Sequence, residues 1–171
     1  MTPDAKYNAD YLLVRVDDRL LHGQVVFGWG QELRPTAYLI IDDTVDGDQW
    51  EREAFISAAP PESPVEIMSM SRFIEQWPRR SGTVGTIVLI RGLQQLFQLY
   101  EAGFRNRTPV NIGGLHAQPG STEYLPYLHV TDHDKTVLLG LLAAEYPLEV
   151  RDLPSTHPIT SEELTKLLNN D

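Results

Sequence analysis

Apolar, largely β-branched runs recur along the chain at 11–16 (YLLVRV), 37–42 (AYLIID), 65–69 (VEIMS), 86–90 (TIVLI), 109–113 (PVNIG), 127–130 (YLHV) and 148–151 (LEVR). Most are continuous rather than alternating, the pattern of strands covered on both faces. Helix-like segments lie between them. QVVFGWGQEL (24–33) reads as the first, with Gly23 at its start. GDQWEREAFISAA (47–59) carries Trp50, Ala54, Phe55 and Ala58 at helical spacing and is stopped by Pro60 and Pro61. MSRFIEQW (70–77) is closed by Pro78. GLQQLFQLYEAG (92–103) repeats Leu93, Leu96, Phe97 and Tyr100, with Gly103 placed for a C-terminal cap. TDHDKTVLLGLLAAE (131–145) opens on a Thr131 or Asp132 cap. PITSEELTKLL (158–168) offers Thr160 or Ser161 as a cap, with acids in the first turn and a lysine later, as the helix dipole favours.

Strands alternating with helices predict βαβ units: an α/β fold whose open, mostly parallel sheet of about seven strands carries helices on both faces. RNRTPVN and LPSTHP read as loops. The 171 residues hold no linker or repeat. They predict a single domain over 10–168, a flexible N-terminal extension over 1–9, and fraying at 1–10 and 170–171.

Composition narrows the chemistry. The absence of cysteine excludes disulfides, thiolate metal sites and cysteine nucleophiles. The polar start, MTPDAKYNAD, has no signal-peptide core, and no apolar run approaches the roughly 20 residues that span a bilayer. The expectation is a cytoplasmic protein without direct membrane insertion. A formal net charge of −10 argues against nucleic-acid binding but permits a local anion site.

Such a site is suggested by DDRLLHGQ (17–24). In an open parallel sheet, ligands bind at the carboxyl ends of the strands, and this segment follows the first one. Arg15 sits at the end of that strand, Arg19 three residues before His22, and Gly23 and Gln24 at a helix N-terminus, whose free N–H groups attract anions. The arginines can match phosphate oxygens with paired hydrogen bonds. A neutral imidazole has a lone pair near pH 7 and can accept and release a phosphoryl group. On spacing alone, His22 also fits a solvated or structural loop histidine.

VRVDDRLLHGQVVFGWG closely resembles the phosphorylation-site segment of IIB components of the mannose/fructose/sorbose family of the phosphotransferase system, which reads approximately VRVDDRLIHGQV. IIDDTVDGDQWEREAFISAAPPESPVEIMS, PVNIGGLHAQPGS and PLEVRDLPSTHP are similar to later family segments, so the resemblance spans roughly 10–168. It implies a mainly parallel α/β fold and His22 as the phosphoryl acceptor. It places Arg15 and Arg19 as basic residues of the active-site loop, and Asp17 and Asp18 as the acidic pair that shapes it. The implied function is a phosphohistidine–sugar phosphotransferase component. A phosphorylated IIA protein would donate to His22, which would pass the group to a sugar imported by IIC and IID membrane proteins, bringing the protein to the membrane only through those partners. The alternative is a stand-alone regulatory module that reports phosphorylation state without transport. The two glycines of VVFGWG, Pro35 and the stretch PRRSGTVG depart from the family pattern.

Other candidates carry two readings each. Gly113, Gly114 and His116 either support the phosphate site or form a tight turn with an incidental histidine. Asp42 and Asp43 follow a strand and read as loop-shaping or capping residues, or as a metal or base site. His129, His133 and His157 read as surface or capping groups, and Trp29, Trp50 and Trp77 as packing residues. No metal, cofactor, dinucleotide or nucleotide motif is present. A basic rim of Arg15, Arg19 and Arg91 is expected to dock the acidic donor.

Overall fold

The first strand, Leu13–Asp17, buries all five of its residues, Arg15 and Asp17 included. The computed structural model describes residues 8–80 and 84–170. The chain runs β1 (Leu13–Asp17), a π-helical stretch (Gln24–Trp29) passing into the short α1 (Gly30–Leu33), β2 (Ala37–Ile41), α2 (Asp43–Gly47), α3 (Gln49–Ala58), β3 (Val65–Met68) and α4 (Met70–Gln76). It continues with β4 (Thr86–Ile90), α5 (Leu93–Glu101), β5 (Val110–Gly114), β6 (Ser121–Leu125), β7 (Leu128–Thr131), α6 (Asp132–Ala143), β8 (Leu148–Val150), β9 (Ile159–Thr160) and α7 (Ser161–Asn169).

The main sheet has seven strands in the order β3-β2-β4-β1-β5-β8-β9. Neighbours are parallel except β8 and β9. The sheet is the mostly parallel α/β layer anticipated, with two differences in membership. YLHV does not join it: β7 pairs antiparallel with β6 in a separate hairpin. The seventh strand is instead β9, two residues long. The hairpin is fastened beside the end of β5 by Leu115 N–H to the Tyr127 carbonyl (3.0 Å) and His129 N–H to the Leu115 carbonyl (2.8 Å).

Apolar cores cover both sheet faces. Val14 and Val16 face a core shared with α4, α5, α6 and α7. Leu13 faces the other core, with Leu20, Leu21, Val25 and Trp29 from the site loop and first helix. Side chains alternate across a strand, so Arg15 and Asp17 lie on the Leu13 side, beneath the first helix. Helix starts follow their local chemistry. Thr131 and Thr160 form capping boxes with Asp134 and Glu163. Gly103, at φ 84°, lets Phe104 N–H turn back to the Leu99 carbonyl at the end of α5.

Two expectations are corrected. Trp29 is buried and Trp77 packs on Phe104 with ring centroids 5.4 Å apart, but Trp50 is 80% exposed. α3 contains no fully buried residue, and only Phe55 of its apolar residues reaches the core. Residues 8–10 are not frayed: Asn8 and Ala9 both donate to the Arg105 carbonyl, and Ala9 bridges to Asn106. The flexible extension proposed for 1–9 otherwise falls on residues 1–7, outside the described residues.

Candidate active site

β1 lies between β4 and β5. From it the chain leaves towards β2 and later returns past it to β5, so a crevice opens at its carboxyl end. The loops after β1, β4 and β5 meet there. Asp18 N–H donates to the Gly114 carbonyl (3.0 Å). Both Asp18 carboxylate oxygens are taken by the next loop: Oδ2 accepts from His116 N–H (2.7 Å), and Oδ1 lies 2.6 Å from His116 Nδ1. Arg91 donates to Asp42 Oδ2 (2.8 Å) and to the Asp18 carbonyl (3.3 Å).

Asp17 is the hub of the site. Its Oδ2 accepts from Arg15 Nη2 (2.7 Å) and lies 3.0 Å from His22 Nε2. Its Oδ1 accepts from the Arg19 backbone N–H (3.1 Å) and Arg19 Nε (3.2 Å). Burial by itself would raise this carboxyl pKa; the hydrogen bond from His22, the Arg15 charge and the Arg19 hydrogen bond prevail and hold it well below the usual carboxylate range. Asp17 is therefore a fixed anion beneath a histidine whose side chain is 17% exposed.

The loop reaches this geometry through Leu20, whose φ of 56° is unusual for a residue with a side chain. Its own burial in the core under the first helix holds it there. The His22 carbonyl then accepts from Val25 and Val26 N–H, starting the helix. Gly23 and Gln24 lie in the first turn, where N–H groups have no intrahelical acceptor. Gln24 Oε1 accepts from Arg19 Nη2 (2.8 Å) and so steers the half-exposed guanidinium.

Arg15 is not on the pocket surface. Its guanidinium is fully buried, within 5.7 Å of the Trp29 ring centroid, and cannot serve in an exposed rim. Burial lowers its pKa, opposed chiefly by the Asp17 charge. The residue is placed mid-strand, and its charge is met by Asp17 two positions on.

Gly113 and Gly114 form neither a tight turn nor part of the pocket surface: both are buried residues of β5. The β1–β5 register shifts beside them, so that Val16 pairs with Ile112 but Asp17 with Gly114. A Cβ on Gly113 would overlap the Arg15 guanidinium, and one on Gly114 would stand 3.0 Å from Asp17 Oδ2. The glycine pair makes room for the buried ion pair.

The departures in VVFGWG also have a structural cause. A Cβ on Gly30 would stand 2.5 Å from Tyr38 Oη, and one on Gly28 3.0 Å from Leu153 Cδ2. Asp42 caps α2 through Val45 N–H, and Asp43 accepts from Met70 N–H (2.8 Å). His133 pairs with Gln94, and His157 is exposed in its turn. Among the described residues no cluster of His, Asp or Glu could hold a metal ion, and no helix is long and apolar enough to cross a membrane.

Comparison with known proteins agrees with this architecture. The family model for the PTS system sorbose subfamily IIB component matches residues 11–171. The fructose-specific EIIB component of Bacillus subtilis is 27% identical over 93% of this chain and 96% of its own length. The mannose-specific EIIAB component of Escherichia coli is 29% identical over 87% of this chain; the match spans 47% of that longer protein. The IIBSor domain of the sorbose permease from Klebsiella pneumoniae superposes with a TM-score of 0.81 at 23% identity, over 92% of this chain and 97% of that domain. This chain thus belongs to the sorbose subfamily of IIB components of the sugar phosphotransferase system.

Proposed function

We propose that His22 accepts a phosphoryl group from a phosphohistidine of a IIA protein and passes it to a sugar imported by IIC and IID membrane partners. The observation that carries this reading is the 3.0 Å contact between His22 Nε2 and Asp17 Oδ2. A carboxylate can only accept there, so Nε2 carries the proton and Nδ1 keeps the lone pair. Nδ1 attacks phosphorus, the donor's N–P bond breaks, and its electron pair returns to the donor imidazole. Nε2–H stays on Asp17 throughout, and the carboxylate stabilises positive charge building on the ring. Arg19, held between Asp17 and Gln24, supplies a guanidinium to the phosphoryl oxygens, and the Gly23 and Gln24 N–H groups supply neutral donors. The sugar hydroxyl oxygen then forms its bond to phosphorus and gives up its proton to water, as the Nδ1–P bond breaks and its electron pair returns to Nδ1.

Arg15 contributes through Asp17 rather than by touching phosphate, and His116 acts through Asp18. The IIA and sugar assignments draw support from the names of relatives: one is a mannose-specific EIIAB chain and another belongs to a sorbose permease.

The test is intact mass under alkaline conditions after incubation with phosphoenolpyruvate, the general phosphotransferase proteins and a competent IIA partner. One acid-labile phosphoryl group is expected on the wild type and none on His22→Ala. An unmodified wild type would leave an anion-binding loop without a carrier role.

A further inference from the structure

We propose that Asn111, on β5, is a positioning residue for His22, acting through Arg15 and Asp17. The inference rests on the phosphocarrier reading above and adds a residue from another strand to it. Asn111 is fully buried. Its Nδ2 donates to the Arg151 carbonyl (3.1 Å) and, at 3.4 Å, to Glu149 Oε1. That fixes the amide orientation and turns Oδ1 towards Arg15, whose Nη1 donates to it at 2.7 Å. Arg15 Nη2 donates to Asp17 Oδ2, also at 2.7 Å, and the same oxygen meets His22 Nε2. A continuous line of bonds therefore runs from β5 to the reactive ring.

Two features make Asn111 the point of leverage. Arg15 Nε is buried without a hydrogen-bond partner, so the hydrogen bonds that orient the guanidinium come from its two terminal nitrogens alone. Nη1 has one other acceptor, the Arg151 carbonyl at 3.3 Å, a poorer contact than the Asn111 oxygen. The void that houses the guanidinium exists because residue 113 is glycine. Without Asn111 Oδ1, Nη1 keeps only the longer Arg151 contact, and the guanidinium is held less firmly in its place against Asp17. The 2.7 Å bond from Arg15 to Asp17 Oδ2 is then weakened, and the oxygen that selects the His22 tautomer is less firmly fixed. The charged groups along this line are Asp17, Arg15 and Arg19 at the histidine end and Glu149 and Arg151 at the other.

The first experiment uses the unmodified wild-type protein. Through the His22 titration, followed by nitrogen NMR, the Arg15 guanidinium and Asn111 side-chain amide resonances should move with the His22 midpoint. Those of Asn106, a buried asparagine bonded to Tyr11 elsewhere in the fold, should not. The second uses Asn111→Leu. The neutral His22 ring should shift from the Nε2–H form towards the mixture of a free imidazole. Phosphoryl acceptance from IIA should fall on the order of tenfold, the scale of one charge-assisted hydrogen bond.

Independent titration of Asn111 and His22 in the wild type would overturn the relay even if Asn111→Leu does not fold. So would an unchanged tautomer in a folded variant. Both tautomer readings are made without phosphate. A wild type that shows the coupling yet takes no phosphoryl group would sink the carrier reading and leave the relay standing.

Discussion

At the scale of single residues, the site is a charge problem solved inside the core. Arg15 and Asp17 are both fully buried, and a buried ion pair is costly to break from one side. Asp17→Asn leaves the Arg15 charge without its counter-ion. The expected loss is about 3–5 kcal/mol of stability at neutral pH, read from urea unfolding. The pH dependence has a definite sign. The Asp17 pKa is lower in the folded chain than in the unfolded one. Its ionisation therefore supports the fold at every pH above the ordinary Asp value of about 3.9, and that support is lost as pH falls from there towards the depressed folded value. Wild-type stability should drop on acidification below about pH 4 more steeply than that of Asp17→Asn. This arrangement was partly legible. A charged residue inside a continuous apolar strand needs a buried partner, and Asp17, two residues on, is on the same side. That periodicity turns Arg15 under the first helix, away from a surface where it could bind phosphate.

At the scale of elements, the first helix shows what the hydrophobic pattern reveals and what it hides. QVVFGWGQEL reads as one helix, and it is one, but its first six residues are π-helical. Gly30 N–H reaches back to the Val25 carbonyl, and the wider turn places Val25 and Trp29 together in the core. Trp29 Nε1–H is spent on the Asp152 carbonyl (2.9 Å). That partner lies in the loop just beyond β8, 123 residues along the chain, which no local pattern reports. The short α2, β6 and β9 escaped for a related reason. β9 has two residues, and β6, STEYL, buries none of its residues fully. The glycines give opposing predictions. Gly30→Ala would gain about 1 kcal/mol of helix propensity, but its Cβ meets the hydroxyl of buried Tyr38. Overpacking of about 1–3 kcal/mol outweighs the gain, so its melting temperature should fall. Gly140→Ala, in α6 and exposed, meets nothing within 4 Å. It should raise stability by up to ~1 kcal/mol, or roughly 2–4 °C in thermal melts.

At the scale of the whole molecule, strand order decides which loops become neighbours. Six of the seven strand runs were legible as sheet members from their apolar continuity. Nothing local states that β1 sits between β4 and β5, and so that Arg91 and His116 would meet at Asp18. The same topology sets which cations a chain of net charge −10 shows at the proposed phosphate site. Arg15 is removed from the surface, which leaves Arg19 and Arg91 as partly exposed cations at the carboxyl edge, 39% and 38% accessible. Arg91 holds Asp42 Oδ2 and the Asp18 carbonyl, and its charge also faces outward. Arg91→Glu reverses that charge beside Asp42 and lowers the attraction for an acidic donor, so phosphoryl transfer from IIA should fall by about tenfold or more at low salt. Arg91→Gln removes the charge without reversing it and should fall between. If the arginine acts in docking, KM for IIA rises while kcat holds, and added salt narrows the gap between the three proteins. If it acts only by pinning the Asp18 carbonyl, kcat falls in both variants and salt leaves their ratio to wild type unchanged. Initial rates at two ionic strengths separate the two roles, and an unchanged rate for Arg91→Glu removes Arg91 from the rim altogether.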